Sequence, residues 1–86
     1  MPEICRFYGI VIRINFREHL PPHFHAEYGD EMAIIDIRTL AVFEGRLPPR
    51  AMGLVAEWAS LHQGELQQAW ERAQQHQNPG KIDPLR

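Results

Sequence analysis

The sequence predicts an α+β domain. A curled antiparallel sheet of three to four strands, in the order β-β-β-β-α, packs on one long C-terminal helix that kinks or projects. Three observations predict it. Apolar residues alternate with period two through much of residues 6–44. Gly29-Asp30 separates two such runs by only two residues. After Pro48-Pro49 the apolar spacing changes to three and four. The expected layout is one domain over residues 1–86, with the sheet in 6–44, a helical segment in 48–76 and a tail in 77–86.

The first run, residues 6–17, reads as one long amphipathic strand. Tyr8, Ile10, Ile12, Ile14 and Phe16 fall on one side, and Gly9, Val11, Arg13, Asn15 and Arg17 on the other. Glu18-His19-Leu20-Pro21-Pro22 follows as a loop, because proline lacks the N–H that a central ladder needs. The next strand is His23–Tyr28. Phe24, Ala26 and Tyr28 alternate there with His23, His25 and Glu27, so both imidazoles and the carboxylate share a face. Gly29-Asp30 suits a type II′ turn, with glycine first.

A third strand covers residues 31–37. A two-residue loop sets its register. Tyr28 then faces Glu31, His25 faces Ile34, Phe24 faces Ile35 and His23 faces Asp36. The same exercise on the first hairpin sets Arg17 against His23, Asn15 against His25 and Arg13 against Glu27. One sheet face therefore collects Arg13, Asn15, Arg17, His23, His25, Glu27 and Asp36. Residues 40–44 form a short fourth strand. Its Leu40 and Val42 join the core side. Its Phe43 lies near Ile34 and Met32, making that half of the face apolar enough for a partner.

In the helical segment Ala51, Leu54, Val55, Trp58, Leu61, His62, Leu66, Ala69, Trp70 and Ala73 recur at helical spacing. A straight helix over 49–75 would run roughly 40 Å. A compact domain of this length is only about 30 Å across. A break or kink near His62-Gln63-Gly64 is expected, with Gly64 the poorest helix former there. Gln77-Asn78-Pro79-Gly80 stops the helix, and Ile82 and Leu85 can dock the tail.

With 86 residues the chain has a small core, so a homodimer is expected. A net charge of −2 argues against a strongly basic nucleic-acid binder. Cys5 is the only cysteine, which excludes an intrachain disulfide and fits a cytoplasmic location. The start shows no signal-peptide pattern. No stretch reaches the ~20 apolar residues of a membrane span.

The residues also carry a resemblance. Arg6-Phe7-Tyr8-Gly9-Ile10, Glu18-His19, Pro21-Pro22-His23-Phe24-His25-Ala26-Glu27-Tyr28, Ile35-Asp36-Ile37, Gly45 with Leu47-Pro48, Glu57-Trp58-Ala59, His62, Leu66, Trp70 and the tail Ile82-Asp83-Pro84-Leu85 resemble a family of small bacterial proteins, domain of unknown function 4160. The resemblance covers nearly the whole chain. It implies a gene often placed beside another small family, hence a toxin–antitoxin-like or paired-protein role. It implies no catalytic residue.

Three functional readings follow. In the first the chain is a small binding module with a partner from a neighbouring gene. Ile34, Met32 and Phe43 offer the surface, and Arg13, Asn15 and Glu27 its polar part. In the second it is a metal-independent ribonuclease. His23 and His25 exchange protons, Arg17 stabilises the developing charge and Asp36 orients His23. In the third, His23, His25, Asp36 and His19 hold a divalent Zn, Fe or Mn ion. Arg17 counts against that last reading, because it would place a positive charge beside a cation. His62 reads as a core or hinge histidine, and Trp58 and Trp70 as core anchors.

Overall fold

The structure is a computed structural model that describes residues 2–86; Met1 lies outside them. Five antiparallel strands stand in sequence order in one sheet: β1 Glu3–Phe7, β2 Ile10–Arg13, β3 His23–Tyr28, β4 Glu31–Asp36 and β5 Val42–Gly45. Two helices follow, α1 Pro49–Leu61 and α2 Gln63–Gln74. The α+β architecture with its antiparallel sheet is as expected. The strand count and the helix count are not.

The extra strand comes from the first run. It folds back on itself at Tyr8-Gly9 instead of running straight from residue 6 to 17. Both residues have positive φ, 50° and 81°, which is the backbone pattern of a type I′ hairpin turn. Phe7 pairs with Ile10 across it, and Cys5 with Ile12. A two-residue turn preserves the alternation, so Ile10, Ile12 and Ile14 remain fully buried. Tyr8 and Phe16, expected beside them, are exposed. Tyrosine is unusual at a positive φ, where an L side chain crowds the carbonyl. The turn therefore has a weak signature in sequence.

The β3–β4 hairpin forms in the expected register throughout, from Tyr28↔Glu31 to His23↔Asp36. Gly29 has φ +59° and Asp30 is not left-handed, which is the II′ pattern. The β2–β3 pairing keeps the expected parity but slides by two residues. Arg13 stands opposite His25, and Val11 opposite Glu27. Asn15 and Arg17 fall beyond the end of β2. On the far side, β5 carries a bulge: Ile34 pairs with Glu44 and Ile35 with Val42, leaving Phe43 as the extra residue. Val42 is exposed and does not join the core.

The core lies between one sheet face and the helices. Phe24, Ala26, Ala33, Ile35 and Ile37 meet Ala51, Val55, Trp58, Leu66, Ala69 and Ala73, all almost wholly buried. The Trp58 ring lies 6.0 Å from Phe24 and 5.4 Å from Phe7. The helix breaks at His62, at φ −130° and ψ 24°. There the His62 imidazole contacts Glu65 at 2.6 Å and the Trp58 ring at 5.5 Å. His62 is thus the hinge residue of the pair. The tail runs back along β1: Ile82 N–H donates to the Ile4 carbonyl at 2.9 Å, and Trp58 Nε1 donates to Asp83 at 2.7 Å. No helix among the described residues is long and apolar enough to cross a membrane.

Candidate functional site

His23 and His25 project from β3 on the face opposite Phe24 and Ala26. On an open antiparallel sheet that face would meet water. Here both histidines are buried, 6% and 9% exposed. The His23 ring is enclosed by Trp70 of α2 at 5.0 Å, Phe43 of β5 at 5.6 Å and His25 at 5.4 Å. Phe43, next to Val42 in the bulged β5, reaches this face as its alternation predicts.

The third member of the cluster is Glu18, from the loop between β2 and β3. Its Oε1 lies 3.2 Å from His25 Nε2 and 3.9 Å from His23 Nε2. One ligand atom each from Glu18, His23 and His25 falls within 4.8 Å of the others. Helix α2 places this loop. The Gln74 amide donates to the Glu18 carbonyl at 3.1 Å, and Arg17 N–H donates to the Ala73 carbonyl at 3.4 Å. The Phe16 ring stacks on His76 at 5.7 Å.

Hydrogen bonds settle much of the protonation pattern. His23 Nδ1 lies 2.8 Å from the Pro21 carbonyl. A carbonyl only accepts, so Nδ1 carries the proton and a neutral His23 presents an Nε2 lone pair to Glu18. A backbone carbonyl on the second ring nitrogen is the usual support of a metal-binding imidazole. Asn15 Nδ2 donates to Glu18 Oε1 at 2.7 Å and approaches His25 Nε2 at 3.3 Å. The Asn15 amide is the main influence holding the Glu18 carboxyl below its usual range. Burial opposes it, and His25 reinforces it. Glu18 is therefore held as an anion at the centre of the cluster.

The expected site residues divide. His23, His25 and Asn15 come together. Arg13 stands beside them, its Nε 3.2 Å from Glu27 Oε1. Asp36 holds its expected place opposite His23, but its carboxylate is engaged elsewhere. Oδ1 accepts from Arg38 N–H at 2.7 Å and Thr39 N–H at 3.1 Å, closing the turn after β4. His19 and Arg17 are exposed, and His19 does not belong to the convergent set. Phe43 packs on His23, and Ile34 is half-buried beside it in β4. Glu18 is the residue missing from the sequence reading. A loop carries no periodicity, and the hydrogen bond that places Glu18 comes from Gln74, fifty-six positions away. The available signal was proximity: five residues before His23, it has little freedom to lie elsewhere.

A cleft of about 590 Å³ lies apart from the histidines, between Tyr8, Tyr28, Arg50, Leu54 and Leu85.

The profile of the family described as domain of unknown function (DUF4160) matches residues 9–71, which include the whole cluster. The chain belongs to this family. No curated protein and no solved structure matches it. The DUF4160 match thus covers the sheet from β2 onward, α1 and most of α2, the elements that carry or enclose Glu18, His23 and His25.

Proposed function

We propose that this DUF4160 protein binds a divalent transition metal ion through Glu18, His23 and His25. The observation that carries it is the convergence of three lone-pair donors in a buried setting, with His23 already held in the ligating tautomer by Pro21. Two imidazoles and one carboxylate suit zinc or ferrous iron. The Glu18–His25 separation of 3.2 Å matches the ~3.3 Å between ligand atoms that bonds of ~2.0–2.1 Å imply. Arg17 is exposed, and the Arg13 charge is paired with Glu27. The ribonuclease reading draws less support, because its histidines are buried and its Arg17 is exposed.

Untagged protein should carry about one metal ion per chain by elemental mass spectrometry, and His23→Ala should carry none. Free metal at a hundredfold excess over its Kd should add about 2.7 kcal/mol. For a domain of this size that raises Tm by roughly 10 °C or more. Sub-stoichiometric metal together with an unmoved Tm would defeat the reading.

A second reading is favoured by the sheet edges. β1 is covered by the chain's own tail, through Ile82 to Ile4 and Lys81 to Glu3. β5 is exposed at all four residues and displays Val42 and Phe43. Such an edge takes an added strand. It fits a paired-protein role in which the product of a neighbouring gene docks there. Loss of that product from pull-downs when Val42 becomes lysine is the test.

A further inference from the structure

We infer that Asn15 is a fourth metal ligand, which closes the centre as a structural site. This rests on the metal reading above. Three observations lead to it. First, Asn15 Oδ1 is buried and has no hydrogen-bond partner, a state that buried polar atoms rarely keep. Second, its amide nitrogen already sits among the ligand atoms, 2.7 Å from Glu18 Oε1 and 3.3 Å from His25 Nε2. Third, the hydrogen bonds around His25 compete. Its Nε2 donates to Glu18 only if protonated, and accepts from Asn15 only if not. One of the two contacts is left unmade in either tautomer.

A metal ion removes the conflict. Half a turn of the carboxamide exchanges Nδ2 for Oδ1 and brings the orphaned oxygen to the ligand position. All four groups then present lone pairs to a cation: Glu18 Oε1, His23 Nε2, His25 Nε2 and Asn15 Oδ1. No proton donor remains among them, and no oxygen is left unpaired. Two nitrogens and two oxygens around a d¹⁰ ion suit four-coordinate zinc. A site with its fourth position filled by protein, walled by Trp70 and Phe43, leaves no place for a substrate. Its work is to hold the loop carrying Asn15 and Glu18 onto β3.

Cobalt(II) reports coordination number through its visible spectrum, intense when four-coordinate and weak when water raises the number. The full chain should bind one equivalent of Zn(II) or Co(II) and give the intense spectrum. Asn15→Ala should lose affinity by about 10–100-fold, as when a supporting group is removed from a metal site. Its cobalt spectrum should weaken, because the opened position admits more than one water and raises the coordination number. Asn15→Asp, which keeps an oxygen at the same reach, should restore the intense spectrum, and it guards against an Asn15→Ala chain that does not fold. Zinc and cobalt binding by Asn15→Ala with unchanged affinity and spectrum would overturn Asn15 as a ligand while leaving the three-residue site standing. An unchanged chain that takes up neither ion would overturn both.

Discussion

At the scale of single residues, Glu18 links the fold to its chemistry. Its carboxyl is held below the usual range, first by the Asn15 amide; burial opposes this, and the His25 hydrogen bond adds to it. The sign of the pH effect follows. A carboxyl whose folded pKa is depressed adds stability that is fully present above its unfolded value, about 4.3. That contribution is lost as pH falls through the lower, folded value. Removing the charge should therefore cost stability near neutrality and cost little in acid. We expect Glu18→Gln to lose about 1.5–3 kcal/mol at pH 6 in metal-free buffer, the scale of a hydrogen bond to a charged group. The difference from the unaltered chain should shrink towards pH 3. Urea unfolding at a series of pH values measures it, and a gap that stayed constant from pH 6 to 3 would remove Glu18 from the acid-sensitive network. Asn15 was legible in the sequence as a residue of the histidine face, because alternation survives a two-residue slide in register. Glu18 was not, since its position depends on α2 and not on any repeat.

At the scale of elements, the legible parts were those with local rules. The β3–β4 hairpin follows from a glycine-first turn and a clean alternation, and every pair stands where the rule puts it. The Tyr8-Gly9 turn broke the rule silently. It preserves parity, so a folded hairpin and a straight strand give the same pattern. The helix break was expected within His62-Gln63-Gly64, with Gly64 as the weak residue. It falls within that stretch, at His62, and Gly64 is the second residue of α2. A β-carbon added at Gly64 would meet nothing within 4 Å, and its backbone is not left-handed. Glycine there adds only entropy to the unfolded chain. Gly64→Ala should stabilise the protein by about 0.4–1 kcal/mol. Thermal and urea unfolding test it; a loss of stability would mean that Gly64, not His62, absorbs the bend.

At the scale of the whole molecule, size decides why the helix must fold back. The longest principal extent is 33 Å and the radius of gyration 11.5 Å. A compact chain of this length is expected near 12 Å. A straight helix of roughly 40 Å would leave its second half without a sheet to cover. Folding at His62 instead brings α2 back to the edge of the histidine face, where Trp70 meets His23 and Gln74 meets Glu18. The same economy leaves the sheet asymmetric. The tail occupies the β1 edge, with Ile82 buried at 7% exposure, while β5 is exposed at all four residues. A bare edge with exposed Val42 and Phe43 is a template for another chain's strand. A paired partner that docks there does so through backbone hydrogen bonds along β5, and a charge on that edge opposes them. Val42→Lys leaves Phe43 on His23 and leaves Glu18, His23 and His25 in place. We therefore expect it to bind metal as the unaltered chain does, to stay within about 0.5 kcal/mol of it in stability, and to lose the neighbouring gene's product in pull-downs from cells that express both. Equal capture by the two forms would show that the partner uses another surface.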